Sequence, residues 1–316
     1  MKKYIQLIYN LRANDLVVVS FLTFLTIVNI IFHNRIEHWI YLCMFNIIII
    51  TFVFILAYCE HKKDSPLLLQ LRTWYAIPLI FLTFKELYFM VKPIRQIDYD
   101  SMLIAIDRFI FGFDPTVELY KIANPFLTEI FQIAYATFFF LPVILGIDLM
   151  MKKKYKELDF AVFIIILGFF LSYIGYLLVP AVGPRFTLHD FHLKDIELPG
   201  LYLTNFLREV VNSGESITYS MPNAVDLVQR DVFPSGHTQM TLLTMYMAAR
   251  FKSKTKYFLI PDGILLIIAT VYLRYHYVID VIGGALFMIF TLWFGYRLYN
   301  WWMAKKGEEG FTYPKY

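Results

Sequence analysis

The segment FPSGHTQM combines a serine, a glycine and a histidine at the start of an apolar run. Pro234 ends whatever precedes it, and Ser235 can cap the first free N–H groups of a following helix. The simple interpretation is therefore a helix start. A helix N-terminus also binds anions through these N–H groups and its dipole. Ser235, Gly236 and His237 are therefore candidate residues of a phosphate site as well.

A second segment, RYHYVIDVIGG, carries His276 and Asp280 four residues apart, a spacing that places both on one face of a helix. A carboxylate there can hold one ring nitrogen of His276 and leave the other nitrogen basic. The alternative is a structural pair that ties two helices together. Ionisable residues inside membrane spans are functional candidates by default.

A third segment, VPAVGPR, ends on Arg185 as the chain leaves another apolar run. Arginine binds phosphate through a bidentate fork, and Ser235 with the N–H groups near Gly236 can hold other phosphate oxygens. One histidine can attack phosphorus while the other protonates the leaving oxygen. The three segments therefore contain a complete set of groups for phosphoryl transfer, provided that the fold brings them together.

Composition indicates which elements must position these groups. The chain has 316 residues, of which 59% are hydrophobic, and its mean hydropathy is +0.56. Soluble domains contain roughly 45–50% apolar residues. The sequence therefore predicts an all-α, polytopic membrane helical bundle that resides in a lipid bilayer. The net charge of +4 is modest and the basic residues are scattered, which argues against nucleic-acid binding.

Apolar runs predict about eight transmembrane helices. Their approximate ranges are 16–32, 39–58, 74–91, 124–148, 159–180, 235–250, 257–273 and 276–300. The last two runs lack an intervening Gly or Pro and together are too long for one crossing, so a turn is expected at Arg274-Tyr275-His276. The amphipathic segment 101–115 is expected to lie along the membrane surface. The long polar segment 181–234 is expected to form a functional cap.

These spans predict three parts of the chain. Residues 1–73 contain two N-terminal accessory helices, residues 74–303 form a six-span catalytic core, and residues 304–316 form a tail. Lysine and arginine are enriched in the segments that span parity places on the side of the N-terminus, which predicts that both termini are cytoplasmic. The same parity places all three candidate segments at the opposite face, periplasmic, extracellular or lumenal.

PSGH followed by HxxxD resembles the type 2 phosphatidic acid phosphatase superfamily of membrane lipid-phosphate enzymes. The resemblance covers the six spans from roughly 74 to 300. It implies chemistry without a metal or other cofactor, on a lipid phosphate or phospholipid substrate. It also implies a phosphohistidine nucleophile at His276, an orienting carboxylate at Asp280, a general acid at His237, and phosphate binding by Arg185, Ser235 and Gly236.

The first and third family motifs differ in this chain. The family places a lysine seven residues before an Arg-Pro pair, whereas here the order is GPR, ending at Arg185, and residue 178 is Leu178. The family also places Ser-Arg ahead of the nucleophilic histidine, whereas here the residues are Ala269 and Thr270. Arg274 is the nearby arginine of this segment, and it is therefore a further candidate phosphate ligand.

These differences resemble the inositol phosphorylceramide synthase branch, which uses PxxGPR in place of the first motif. The segment DRFIFGFDP (107–115) also resembles that branch. In it, a lipid hydroxyl instead of water can attack the phosphohistidine, which would make the protein a phosphotransferase. Hydrolases share the same architecture, so both acceptors remain open.

Two alternatives concern other polar features and the class of function. The segment HDFHLKD (189–195) is interpreted as a solvated loop rather than a metal site. Lys85 and Glu86, inside the third span, are assigned a structural role with other spans, with substrate contact as the alternative. The alternative to an enzyme is a catalytically silent lipid-binding or lipid-transport protein with the same fold. A transporter needs charged or broken helices along a midplane path. Here the polar groups gather at one face, which favours the enzyme. The sequence indicates no oligomeric state.

Overall fold

The computed structural model describes residues 7–63 and 65–314, and every regular element in these ranges is a helix. The all-α class predicted from composition is therefore confirmed. The basic residues Lys2 and Lys3 and the end of the predicted tail, residues 315–316, lie outside the described residues.

The chain divides into two compact units. The first unit comprises Met1–Gln96, Leu149–Leu171 and Phe290–Tyr316, and the second comprises Ile97–Asp148 and Ser172–Ile289. All candidate site residues belong to the second unit. The division predicted from the spans, at residues 73 and 303, stays a prediction.

Among its described residues, the first unit contains four helices that belong to it completely. They are α1 (Ala13–Ile31), α2 (Trp39–Lys62), α3 (Pro66–Trp74) and α4 (Ala76–Ile94). Proline begins α3 because the first helical position needs no N–H donor. Within the unit, Glu86 Oε1 of α4 accepts hydrogen bonds from Asn29 Nδ2 of α1 at 2.9 Å and Asn46 Nδ2 of α2 at 2.8 Å. The carboxylate of the Lys85-Glu86 pair thus joins three helices.

The remaining helices position the site. In chain order they are α5 (Asp100–Phe111), α6 (Pro115–Tyr120), α7 (Pro125–Ala136), α8 (Phe140–Met151), α9 (Tyr155–Leu178), α10 (Pro184–Thr187), α11 (Lys194–Glu197), α12 (Thr204–Gly214), α13 (Ala224–Leu227), α14 (Gly236–Arg250), α15 (Lys256–Tyr272) and α16 (Val278–Lys306). Residues of α8, α9 and α16 are divided between the two units. The predicted turn at Arg274-Tyr275-His276 is present, between α15 and α16.

Five segments of the described chain are long and apolar enough to cross a membrane: α1, α2, α3 with α4, α9 and α16. The pair α7 and α8, bent by 53°, makes a sixth if it counts as one span. The protein is therefore an integral membrane protein. Helices α14 and α15 contain 15 and 17 residues, fewer than the roughly 20 that a spanning helix needs. The predicted count of eight is not reached by this measure.

Helix α5, the core of the predicted surface segment, buries two carboxylates and exposes large apolar side chains. Its buried residues are Asp100, Leu103 and Asp107. Large apolar side chains are exposed instead, including Met102, and Phe109 at 90%. Exposed apolar groups suit contact with lipid, and the buried carboxylates must find donors inside the unit.

Candidate active site

Helix α14 begins as the sequence predicts. Ser235 is its N-cap, and Ser235 Oγ accepts a hydrogen bond from Thr238 N at 3.2 Å. The backbone of Ser235 also donates to the carbonyl of Asp280 at 3.0 Å. This bond joins the PSGH and HxxxD segments directly, and it places His237 in the first turn of α14 beside the start of α16.

Two glycines allow this close packing. A Cβ at Gly236 would collide with the hydroxyl of Tyr176. A Cβ at Gly284 would lie 2.5 Å from the carbonyl oxygen of Ser235. A side chain at Gly284 would therefore displace the start of α14, and one at Gly236 would require Tyr176 or the helix start to shift.

The two histidines are in contact. His276 Nε2 lies 3.4 Å from His237 Nδ1, and the ring centroids are 5.5 Å apart. His276 lies just before the first residue of α16, and its side chain is buried. The fold therefore brings together two histidines that are 39 residues apart in sequence, as the phosphoryl-transfer hypothesis requires.

The orientation of His276 depends on a backbone carbonyl as well as on Asp280. His276 Nδ1 lies 3.0 Å from the carbonyl oxygen of Val232 and 3.5 Å from Asp280 Oδ2. The same Asp280 oxygen accepts a closer bond, 2.7 Å long, from Tyr277 N. Because a carbonyl can only accept, Nδ1 carries the proton and Nε2 is the basic nitrogen. The sequence predicted Asp280 at this ring but gave no signal for Val232.

Arg185 is held at the edge of the site by several groups. Its backbone N–H donates to the carbonyl of Arg274 at 3.1 Å. Its guanidinium is buried, forms an ion pair with Glu215 and lies 3.5 Å from Asn212 Oδ1. The guanidinium carbon also lies 5.1 Å from the centroid of the Tyr275 ring. Any phosphate that binds Arg185 must share it with Glu215, a residue that the sequence analysis did not identify.

A stack of rings connects Arg185 with the histidines. The Tyr275 ring stacks on Tyr135 at 4.4 Å, and Tyr135 stacks on His237 at 4.5 Å. Phe138 lies against His237 as well, with a centroid distance of 4.2 Å. Aromatic rings therefore flank His237, whose side chain stays partly exposed.

Arg274 contributes differently from Arg185. Its φ of 66° places it in the left-handed region, which orients its carbonyl toward Arg185 N. Its guanidinium forms an ion pair with Glu197 and lies 5.2 Å from the centroid of the Tyr120 ring. The structure therefore brings the backbone of Arg274 to Arg185, whereas its charge is directed to α11 and α6.

Two carboxylates of α5 hold the segments that carry the site. Asp100 accepts hydrogen bonds from Val182 N at 3.0 Å and Gly183 N at 2.8 Å, both just before Arg185. Asp107 accepts from the first two N–H groups of α16, those of residues 278 and 279, each at 2.8 Å. The two aspartates are seven residues apart, a spacing that puts them on one face of the helix. This spacing is the feature of the sequence that could have identified them.

A third carboxylate anchors the segment 201–204. Glu129 of α7 accepts hydrogen bonds from the backbone N–H groups of residues 201, 202, 203 and 204, at 2.6 to 3.3 Å. It also accepts from Thr204 Oγ1 at 2.6 Å. Glu129 therefore attaches the predicted cap 181–234 to α7. It is a single carboxylate in an apolar run, and no motif identifies it in the sequence.

The HDFHLKD segment makes ordinary polar contacts. His189 Nε2 bonds to Thr116 Oγ1 at 3.0 Å, and burial, followed by the nearby Arg274, lowers the pKa of His189 to about 4. Asp195 forms an ion pair with Arg208 at 2.7 Å. Among the described residues, no three His, Cys, Asp or Glu side chains form a group able to hold a metal ion.

The apolar helices define an integral membrane protein, and two histidines meet at a helix start within its second unit. Residues 101–294 match the family model of the PAP2 superfamily. Because this match covers more than half of the chain, the protein belongs to the PAP2 superfamily, a group of phosphatase- and phosphotransferase-type membrane proteins. Comparison with curated proteins and with solved structures gives no match.

Proposed function

We propose that the protein is a membrane phosphoryl-transfer enzyme that acts on a lipid phosphate or a phospholipid head group through a phosphohistidine at His276. The observation that carries this proposal is the 3.4 Å contact between His276 Nε2 and His237 Nδ1 at the capped start of α14. A structural histidine pair needs neither a helix N-terminus nor a buried arginine beside it. Both accompany this pair.

In the first step, the substrate phosphate binds at the start of α14, against Ser235, Gly236 and Arg185. His276 Nε2 attacks phosphorus, and the bond from phosphorus to the lipid oxygen breaks. The proton on His237 moves to that leaving oxygen. The direct contact between the two nitrogens leaves no room for a phosphoryl group, so His237 must move as the phosphate enters.

In the second step, water or a lipid hydroxyl attacks the phosphohistidine and gives its proton to His237. The bond between phosphorus and Nε2 breaks, which restores both histidines. The proton on Nδ1 stays against the Val232 carbonyl throughout, while the charge of Asp280, 3.5 Å away, stabilises the imidazole when phosphorus is attached. Arg274 serves the phosphate site through its carbonyl, which fixes Arg185.

Trapping the intermediate tests the mechanism. Purified protein is mixed with a lipid phosphate carrying labelled phosphorus and quenched in alkali, where phosphohistidine persists. We expect labelled protein from the wild type and none from His276→Ala. Label retained in His276→Ala would refute the proposed nucleophile, and wild-type protein that turns over none of a panel of lipid phosphates would favour the alternative, a silent lipid-binding or transport protein.

The acceptor decides between hydrolase and transferase. We propose the inositol phosphorylceramide synthase-like branch because the chain has PxxGPR and DRFIFGFDP, and Asp107 of the second motif binds the start of α16. Products formed with and without added ceramide, analysed by mass spectrometry, distinguish the two acceptors. Water-soluble phosphorus products alone in both cases, free phosphate or a head-group phosphate, would exclude the transferase.

We also propose that both termini are cytoplasmic and that the catalytic core, residues 74–303, opens to the non-cytoplasmic face. The distribution of lysine and arginine supports this orientation. A cysteine placed at exposed Tyr202 is expected to react with a membrane-impermeant label from outside, and one placed at exposed Lys152 is not. The reverse pattern would invert the protein.

A further inference from the structure

A lysine in the segment 181–234 is buried without a hydrogen-bond acceptor. Lys194 begins α11 and is only 1% exposed. Its Nζ has no hydrogen-bond partner among the described residues, and it lies 3.6 Å from the centroid of the Tyr275 ring. A cation over an aromatic face gains some stabilisation, but this does not replace the hydrogen bonds that an ammonium loses on burial.

The neighbouring charges do not balance Lys194. The cations that interact with it are Arg185, Arg208 and Arg274. Each of these arginines already has its own carboxylate, respectively Glu215, Asp195 and Glu197. Three ion pairs therefore surround one additional buried amine.

Such an arrangement is unfavourable unless an anion joins it. Burial, and after it the three arginines, lower the pKa of Lys194 well below its ordinary value. Methionine has a similar shape and would fill the same space without this penalty. A lysine here is therefore better explained by a ligand than by packing.

The position of Lys194 separates it from the reacting phosphate. One face of the Tyr275 ring is covered by Tyr135, which in turn stacks on His237. Lys194 must therefore lie on the other face of Tyr275, two rings away from His237. Arg185 lies against the same Tyr275 ring, so a ligand bound to Arg185 can extend to Lys194.

We propose that Lys194, together with Arg208 and Arg274, forms a second anion subsite that binds a negatively charged group of the lipid head group other than the reacting phosphate. The identity of the ligand as a lipid head group rests on the proposed function. The substrate class is then a lipid phosphate with a second anionic group, either a diphosphate or a head group that bears a separate phosphate or carboxylate.

Binding of phosphonates to the purified protein tests the subsite without any turnover. Methylphosphonate represents one anion, and alkane diphosphonates with one to four methylene groups represent two anions at increasing separation. We expect Lys194→Met to raise the Kd of the best diphosphonate about tenfold or more, as expected for the loss of a charge-assisted contact. The Kd of methylphosphonate should change by less than about twofold.

A matched control removes a lysine outside the subsite. Lys121, exposed and paired with Glu118, is replaced in Lys121→Met, which should bind every phosphonate as the wild type does. Tightest binding of the one-methylene compound would indicate a diphosphate substrate. Tightest binding of a longer compound would indicate a head group with separated charges.

Two results would overturn the subsite. An equal loss for methylphosphonate and the diphosphonates would make Lys194 a ligand of the reacting phosphate, and no loss for either would make it structural. If Lys194→Met does not fold, Lys194→Arg, which places a cation at the same position, should retain the preference for two anions, and loss of that preference would count against the subsite. A wild type that binds diphosphonates but turns over no lipid phosphate would refute the proposed function and leave the subsite standing.

Discussion

Glu86 in the first unit and Asp107 in the second are both buried carboxylates, but they bind different kinds of groups. Glu86 accepts from the side-chain amides of Asn29 and Asn46. Asp107 accepts from two backbone N–H groups at the start of α16. Links between side chains determine which helices are neighbours. Hydrogen bonds to backbone fix where a segment lies. The bonds from the start of α16 to Asp107 therefore also fix the position of His276, two residues earlier.

The same difference recurs at some other carboxylates of each unit, although ion pairs such as that between Arg185 and Glu215 also link side chains in the second. In the first unit, Arg72 bonds to Asp15 and Glu60 through side chains of α1, α2 and α3. In the second unit, Asp100 and Glu129 accept from the backbone of residues 182–183 and 201–204. Buried polar groups of the first unit are thus expected to affect stability, and those of the second to affect catalysis. Four substitutions test this contrast.

The largest effect is expected from the nucleophile. His276→Ala should lower turnover of a lipid phosphate by on the order of 10⁴- to 10⁶-fold, because no other group forms the covalent adduct. Its Tm should stay close to that of the wild type. The matched control is His33→Ala in the first unit, where an exposed imidazole contacts Trp39. Turnover near the wild-type rate in His276→Ala would contradict the phosphohistidine mechanism.

A smaller effect on rate is expected from a positioning carboxylate. Asp107→Asn weakens two charge-assisted bonds to α16 and lets His276 shift, and a misplacement of about 1 Å can cost roughly 100-fold in rate. We expect kcat to fall by about 10- to 100-fold with KM and Tm little changed.

The control for Asp107→Asn lies on the same segment. Asp114 pairs with the exposed Arg108, so Asp114→Asn should keep the wild-type kcat. If Tm fell in Asp107→Asn while kcat stayed constant, Asp107 would resemble Glu86 and the contrast between the units would fail.

Stability, not rate, should respond to Glu86. Glu86→Leu leaves the amides of Asn29 and Asn46 without their acceptor, and each buried unpaired group costs about 1–3 kcal/mol. We expect a lower Tm with unchanged kcat per folded molecule, measured by thermal denaturation in detergent. Glu86→Gln keeps an acceptor and should be close to neutral. A large loss of kcat in Glu86→Gln would give the first unit a chemical role.

The smallest effect is a pH-dependent change in stability at Lys194. Its lowered pKa means that, between that value and the ordinary value of about 10.4, the unfolded chain binds the proton and the folded chain does not. Stability of the wild type therefore rises with pH in this window. Lys194→Met should have the higher Tm near neutral pH, and the difference should shrink toward pH 10.

The charged and titratable groups that face Lys194 matter for the interpretation of this pH dependence. They are Arg185, Arg208, Arg274, Asp195 and Tyr275. Burial raises the pKa of Tyr275 above its ordinary value. A Tm difference that is independent of pH would mean that Lys194 does not titrate and affects stability through packing alone.

Much of the architecture follows from the sequence because it depends on local pattern. The start of α14 at Ser235 and the turn at Arg274-Tyr275-His276 are where capping and polarity predict them. Span parity also predicted that the PSGH and HxxxD segments meet at one face, and the bond from Ser235 N to the Asp280 carbonyl joins them. Residue types, helical spacing and topology suffice for these features.

The partners of the candidate residues were less accessible to sequence reasoning. The carbonyl of Val232 bonds to His276, but every residue has a carbonyl, so no residue type marks it. Glu215 and Asp107 lie far in sequence from the groups they bind, and only tertiary structure shows the contact. Arg274 as a phosphate ligand stays a prediction, and its ion pair with Glu197, 77 residues away in sequence, is a contact that only tertiary structure shows.

The two glycines at the start of α14 limit how this site can change during evolution. Any side chain at Gly236 or Gly284 would push against Tyr176 or the Ser235 carbonyl, so single replacements there cannot adjust the site gradually. New substrate preferences would have to arise elsewhere, most readily in the segment 181–234, whose side chains reach Arg185 through Glu215. Under the proposed function, the geometry of bond breaking would thus stay constant while the preference for one lipid over another changes.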